Sequence, residues 1–376
     1  MDKLICFFDD YNGAAIYAAL NLKPKDIIFL IDDREAFYED FASIKEHLIK
    51  KLPGVNVQGV ILKEPYERSI SQFIRGLKGE EIWVNLSGGS RLLNLIAFKL
   101  CLQLDIPAVY ADMQRESIFE VSGKEIRAID CDIKDMTISD LIASSGGKSL
   151  QESSRFFMDK RVLEMMGFIL NNYPRWFKLK QLLRNNYYIE YNDFWPLKVV
   201  IREKAIKDFS IFMPFFKKGK ELGIFNYYEK GGRLNLEFTS MEYKSFIFKI
   251  GTWLEVLTYN AVKELEGINE AKAGVVFLWD IDKERIKNEA DVLATSGSRL
   301  IYISCKDTPN YDEEDLNELE VYSNKIGGED TVKILVATSA PNKSTTLLRA
   351  EEMNINILIF KGDVEDFKKK LQKLIL

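Results

Sequence analysis

The chain has 376 residues, 47% of them hydrophobic and 29% charged, with a formal net charge of −5. At a typical domain size of about 150 residues, that length makes two or three domains rather than one core. Even the apolar stretch at residues 92–104 is broken by Asn94, Lys99 and Gln103, well short of the roughly 20 residues a membrane span requires, so no membrane partner is expected. The start, MDKLICFFDD, is a short strand pattern running into two acids, without the regions of a secretory leader, and a cytoplasmic protein is expected. The four cysteines, Cys6, Cys101, Cys131 and Cys305, form no CxxC or Cys/His pair of metal-ligand spacing, which argues against zinc and disulfides. The single histidine, His47, lies in the amphipathic string SIKEHLIKKL, expected to be a surface helix. Hydrolysis by this chain must therefore draw on carboxylates, lysine or a metal.

Residues 1–140 alternate short apolar runs such as LICFF, DIIFLI, VNVQGVIL, EIWVNL and PAVYA with helical patterns such as GAAIYAAL and RLLNLIAFKLCLQL. That spacing predicts βαβ units and a mainly parallel, doubly wound, Rossmann-like sheet. IFEVS and EIRAID, split by Gly123-Lys124, predict a hairpin closing the domain. Residues 141–155 are rich in Ser and Gly and predict a linker. Their Gly146-Gly147-Lys148-Ser149 is not a P-loop, because GxxxxGK[ST] needs glycine where Ile142 stands.

Residues 156–246 carry short helical patterns and end in LGIFNYYEKGGRLNLEFTS, two strand-like runs around Gly231-Gly232, the outline of a winged helix. Residues 151–245 hold 17 Lys and Arg against 11 Asp and Glu, so this is the basic part of an acidic chain. A basic face either meets phosphates or simply faces water. The aromatics Trp176, Phe177, Tyr187, Tyr188, Phe194 and Trp195 serve core and interface packing or base stacking, with packing the better prior. Residues 247–376 restart with the helix GTWLEVLTYNAVKELEG, strands at AGVVFLWDID, EADVLAT and RLIYISCK, and then alternating helices and strands, predicting a separate α/β domain.

Two places carry chemistry. In the first domain Ser87-Gly88-Gly89-Ser90 joins a strand to a helix, where glycines admit a ligand to the backbone and unpaired N–H groups favour phosphate. The plain alternative is a tight turn with Ser90 as helix cap. The loop Asp9-Asp10-Tyr11-Asn12-Gly13 leaves the carboxyl end of the first strand and should share the same crevice. The string Asn85-Leu86-Ser87-Gly88-Gly89-Ser90-Arg91 resembles the CARF domains that sense cyclic oligoadenylates in type III CRISPR defence. That resemblance implies a homodimer whose paired loops (Asp10, Tyr11, Asn12, Gly13, Asn85, Ser87, Gly88, Gly89, Ser90, Arg91) hold the ligand. Ser87 and Arg91 are also the groups with which the loop would cleave its own ligand, though they suffice for binding.

In the last domain a period of two puts Glu289 and Asp291 on one face of NEADVL, and Ser304 and Lys306 on one face of ISCK. If these strands are antiparallel neighbours, Asp291 and Lys306 converge, with Glu255 reaching in from the preceding helix. Cys305, between them, should point into the core. Carboxylates hold Mg²⁺ or Mn²⁺, and lysine steadies the developing charge of phosphodiester hydrolysis. The set resembles the PD-(D/E)xK nucleases, and NEADVL with ISCK resembles the CRISPR-associated nucleases that join this fold to a CARF domain. The resemblance implies an α/β chain with a Rossmann-like CARF domain, a central winged-helix-like segment and a C-terminal restriction-endonuclease-like domain. It further implies cleavage of single-stranded RNA or DNA under control of cyclic tetra-adenylate. One position departs from the pattern: Ser304 stands where an acid usually precedes the lysine by two residues, which leaves Asp291, Glu255 and the Cys305 carbonyl for metal, with Glu289 behind them. A ligand-responsive DNA-binding regulator with an inactive nuclease region is the alternative.

Overall fold

The computed structural model describes residues 1–32, 36–77, 80–191, 195–279 and 287–376, without the side chains of 36 and 37. Phe194, the first two residues of the helical string REAFYEDF and the Asp280–Asp282 end of the predicted strand lie outside them.

Apolar runs at β1 (Lys3–Phe7), β2 (Asp26–Asp32), β3 (Asn56–Leu62), β4 (Ile82–Asn85) and β5 (Ala108–Asp112) pair in parallel in the order β3-β2-β1-β4-β5. β6 (Ser117–Val121) and β7 (Ile126–Ala128) add an antiparallel hairpin on the β5 edge. The order reverses between β1 and β4, so the loops following these two strands flank the crevice where open α/β sheets bind ligands.

Residues 141–155 are a correction to the predicted linker. The helix Ile138–Ala143 starts with a Thr137/Asp140 capping box, Ser144 and Ser145 are fully buried, and Lys148–Gln151 forms strand β8. A Cβ on Gly146 would meet Asp40 at 2.3 Å, and one on Gly147 would meet Trp279 Nε1 at 2.7 Å and Ile142 O at 2.8 Å. The small residues are there because backbones approach closely, not because the chain is loose. His47 is turned inward from its helix, 2.7 Å from the buried Asp140 carboxylate. That carboxylate also accepts from Thr137 and Lys51, and these bonds outweigh burial and hold Asp140 well below the usual carboxylate range.

Short helices and a four-stranded antiparallel sheet, β11-β12-β10-β9, fill the middle of the chain: β9 (Ile189–Tyr191), β10 (Lys198–Ile201), β11 (Phe225–Lys230) and β12 (Arg233–Phe238). The predicted ribbon is β11–β12, turning at Gly231 and Gly232 with φ of 64° and 74°, as a two-residue hairpin requires. The sequence reading missed β9 and β10. Trp176 is wholly buried, whereas Tyr187 and Trp195 are exposed.

The last sheet runs β17-β16-β15-β14-β13-β8, built from β13 (Glu270–Leu278), β14 (Lys287–Ser296), β15 (Arg299–Lys306), β16 (Val332–Ala337) and β17 (Ile355–Ile359). β8, β13, β14 and β15 are antiparallel in succession, and β15, β16 and β17 are parallel. One face packs Val292, Ile301, Ile303 and Val336 against Trp253 and the middle helices in a single apolar cluster. The other packs Phe277, Tyr302 and Leu335 with Leu316 and Leu319 of the helix Glu313–Gly327, in a cluster continuous with Leu4, Ile16 and Phe29 of the first sheet. The last sheet therefore shares one core with the middle helices and another with the N-terminal sheet. Among the described residues no helix is long and apolar enough to cross a membrane.

Candidate active site and ligand crevice

The β14–β15 ladder ends at the pair Val292 and Ile303, and beyond it the strands part. Asp291 sits in that fork, where its Oδ2 accepts the Cys305 N–H at 2.7 Å and the Ser304 hydroxyl at 3.4 Å. The side chain thus takes over a donor that the ladder has released. Opposite Asp291, Gly274 has a φ of 52° and kinks β13. Alternation fails there, since Ala290 packs in one core and Val292 in the other although they are two residues apart. Glu289 is exposed, with Oε1 3.5 Å from where a Gly274 Cβ would stand, beside Ser153, and its charge disfavours ionised Glu255 and Asp291 both.

Glu255 enters from the first turn of the helix Thr252–Lys263, buried at 8% exposure. The helix is capped by Gly251 at φ 102°, where a Cβ would lie 3.2 Å from Glu255 Oε1 and 3.6 Å from the Cys305 carbonyl oxygen. Glycine at 251 keeps open a space walled by two oxygens. Lys306, at the end of β15, is held by Asp315 at 2.5 Å. The other Asp315 oxygen accepts the Asp312 N–H in the capping box of the helix Glu313–Gly327. Cys305 packs into the core, its Sγ 3.5 Å from Thr258 Oγ1, and burial pushes its thiol far up, so it is no nucleophile.

Burial, and then the Asp291 charge, push the Glu255 carboxyl up to about 8. Burial raises Asp291 to about 6 despite the Cys305 N–H and Lys306, which favour its charged form. Burial alone would lower Lys306, but Asp315 and Asp291 hold it above its usual value. Burial and mutual repulsion both disfavour the charged forms of these two acids, and a cation between them would relieve that penalty. Among the described residues no three His, Cys, Asp or Glu side chains gather as a metal cluster. Glu255 and the Cys305 carbonyl border the space that Gly251 leaves, and Asp291 binds the N–H of the same Cys305, an all-oxygen donor set of the kind that suits a hard divalent ion.

The sign of the pH dependence follows. A carboxyl whose folded pKa is raised retains its stability contribution below the ordinary carboxylate range and loses it as pH climbs toward about 8. Metal-free protein should therefore melt lower as pH rises from 5 to 8.5, by about 2–4 °C for each kcal/mol lost. Glu255→Gln should flatten that slope relative to wild type in a melting series. An unchanged slope would show that the Glu255 proton is not responsible.

At the first sheet, Ser90 caps the helix Arg91–Leu104, accepting the Leu93 N–H. The Ser87 hydroxyl donates to Asn85 Oδ1 at 2.6 Å and accepts the Ala111 N–H at 2.6 Å, so it pins the loop rather than standing ready to attack a ligand. Asn12 is buried, its amide donating to Asp9 O and Ser144 O, and Tyr11 folds over Gly13 and against Gly328. The side chains of Tyr11 and Asn12 face the body of the protein, which corrects their expected place in the crevice. Asp10, the Gly88-Gly89 backbone, the helix N-terminus and the exposed Arg91 remain at its rim.

The sequence reading missed Lys249, whose charge favours ionised Glu255 and Asp291 both, along with Gly251 and Asp315. A DxxD helix start signals Asp315 only as a cap, and nothing in sequence marks the other two.

A helix-borne glutamate and an aspartate and lysine at the fork of a mixed sheet define a nuclease-type α/β domain. Residues 242–375, the last third of the chain, match the family model of the Card1-like endonuclease domain. Over its whole length the fold is similar to protein VC1899 from Vibrio cholerae, with a TM-score of 0.76, 18% identity and coverage of 100% of this chain and 98% of that one. It is also similar to Can2 from Sulfobacillus thermosulfidooxidans, solved in complex with cyclic tetra-adenylate, with a TM-score of 0.71, 16% identity and full coverage of both chains. A type III CRISPR defence DNA nuclease activated by cyclic oligoadenylate matches at a TM-score of 0.55 and 15% identity over 98% of this chain and 51% of its own length. At these identities the likeness is one of fold. No curated protein matches in sequence.

Proposed function

We propose that this protein is a divalent-metal nuclease of type III CRISPR defence that cuts single-stranded RNA or DNA when cyclic tetra-adenylate fills a pocket shared by two N-terminal domains. The observation that carries the proposal is the pair of buried, mutually repelling carboxylates, of which Asp291 also acts by its charge on Lys306, in a segment that matches an endonuclease domain. Asp291, Glu255 and the Cys305 carbonyl would hold Mn²⁺ or Mg²⁺, which polarises a phosphate and acidifies a water. Lys306 donates to the charge that develops on the phosphate, and Asp315 sets where its amine stands. Glu289 adds to the negative field felt by both carboxylates, and Ser304 orients Asp291 through its hydroxyl. At the other end, the free N–H groups of the Gly88-Gly89 turn and the helix N-terminus suit the phosphates of a cyclic nucleotide, and Arg91 supplies a cation.

The homodimer is supported by Leu92, Leu95 and Leu102, which lie 48–68% exposed along one side of the helix Arg91–Leu104. Beside them is an apolar depression of about 480 Å³ lined by Phe98, Tyr110, Phe119 and Ile126. A patch of this kind marks an interface, and a second copy is the occupant that brings two ligand loops together. Leu95→Asp is expected to convert dimer to monomer in sedimentation equilibrium, weakening association by about tenfold or more, and to remove the response to ligand. A variant that stays dimeric places the interface elsewhere.

The direct experiment incubates purified protein with labelled single-stranded RNA and DNA, with Mn²⁺ or Mg²⁺, with and without cyclic tetra-adenylate. Cleavage that needs ligand and metal and vanishes in Asp291→Ala and Lys306→Ala is the expected result. Ligand binding without cleavage under any condition would favour the ligand-responsive DNA-binding regulator, the reading to which Ser304 lends weight.

A further inference from the structure

The middle of the chain sends two cations of one helix into the endonuclease domain. Lys180 and Arg184 stand one turn apart at the end of the helix Tyr173–Leu183, on the same side. In sequence such a pair looks like a solvated face, yet Lys180 is 1% exposed. Its Nζ donates to the carbonyls of Ile247 at 2.9 Å and Lys249 at 3.0 Å. These carbonyls belong to the turn that ends at Gly251, where the Glu255 helix begins. Arg184 reaches the other catalytic element, with Nη2 2.8 Å from Oδ1 of Asp307, whose side chain is wholly buried directly after Lys306. Asp307 in turn accepts the Trp253 indole N–H at 2.7 Å and the Thr338 hydroxyl at 3.0 Å. Trp253, two residues before Glu255, packs edge-on against Trp176 of the same middle helix at 6.2 Å.

We infer that Lys180 and Arg184 are positioning residues of the nuclease centre: from outside the matched domain they clamp the start of the Glu255 helix and the end of β15, and so fix the spacing between Glu255 and Lys306. A buried ammonium and a buried carboxylate are costly to keep, and tertiary packing alone needs neither. What they add is direction: Lys180 anchors the carbonyls eight and six residues before Glu255, and Arg184 anchors the carboxylate directly after Lys306, which in turn holds the Trp253 ring two residues before Glu255. The inference rests on the nuclease reading for its purpose but not for its geometry.

Hydrogen–deuterium exchange of the full chain, free of metal and ligand, tests the geometry in wild type, Lys180→Met and Arg184→Ala, each well below its melting temperature. Faster exchange confined to residues 249–257 and 303–309 is expected. Uniform acceleration, or none, overturns the clamp. The second arm measures cleavage, where both variants should lose kcat by about a hundredfold, the scale of an ångström-sized misplacement, while KM stays nearly constant. Millimolar guanidinium should return part of the rate of Arg184→Ala alone. Unchanged kcat in a folded variant also overturns the proposal. A wild type that cuts nothing counts against the nuclease reading only, and the exchange arm then decides on the clamp.

Discussion

Asp291→Asn and Lys306→Met are each expected to lower the cleavage rate by about 10²–10³-fold or more, the scale on which one aimed electrostatic group contributes to catalysis, without unfolding the protein. The asparagine retains an oxygen for the Cys305 N–H while removing the charge that a cation needs. It also removes a carboxylate that burial penalises, so its melting temperature should equal or exceed that of wild type. Methionine at 306 fills the volume of the lysine stem and leaves Asp315 to its capping bond with Asp312. Single-turnover cleavage beside a melting curve separates the two effects. A rate that survives Asp291→Asn would remove this fork as the reacting centre, and a rate that falls only with the folded fraction would give Asp291 a purely structural role.

Gly89→Ala should destabilise the N-terminal region by about 2–5 kcal/mol, combining the left-handed backbone penalty with overpacking. Gly89 has a φ of 85°, and a Cβ there would stand 2.3 Å from Phe7 Cβ. Phe7 is 1% exposed in the core of β1 and cannot retreat. The neighbouring Gly88→Ala is the control, because its Cβ would meet only the Phe7 carbonyl at 3.5 Å, an ordinary contact. Urea unfolding of both variants measures the difference, and ligand affinity should fall with Gly89→Ala because a turn pushed off Phe7 no longer presents its backbone N–H groups in place. Equal stability of the two variants would mean that the turn is free to shift.

Much of the fold was legible because it follows from local periodicity. The alternation of LICFF, DIIFLI, VNVQGVIL and EIWVNL with helical strings predicts the parallel sheet, and the Gly123-Lys124 break predicts the hairpin β6–β7 that the structure contains. The convergence of Asp291 and Lys306 was legible for the same reason, as adjacent antiparallel strands bring these positions to one fork. Residues 141–155 misled because serine and glycine suit both a loose linker and a tight approach, and only the neighbours Asp40 and Trp279 distinguish the two. The exposure of Glu289 was not legible, because periodicity gives the side of a strand and not whether water reaches it.

The sequence by itself determined the strands and helices of the parallel N-terminal sheet and most of those of the last sheet, that any hydrolysis must draw on carboxylates, lysine or a metal, and where the glycine turn of the crevice lies. These are properties of short windows, in which spacing and residue type suffice. The tertiary structure alone decided that β8 joins a sheet more than a hundred residues further on, that Tyr11 and Asn12 turn away from the crevice, and that Lys180, Arg184 and Asp307 brace the active centre. Those outcomes depend on which buried polar group finds which partner across the fold, and a charge on a helix carries no mark of whether water or a carbonyl will meet it.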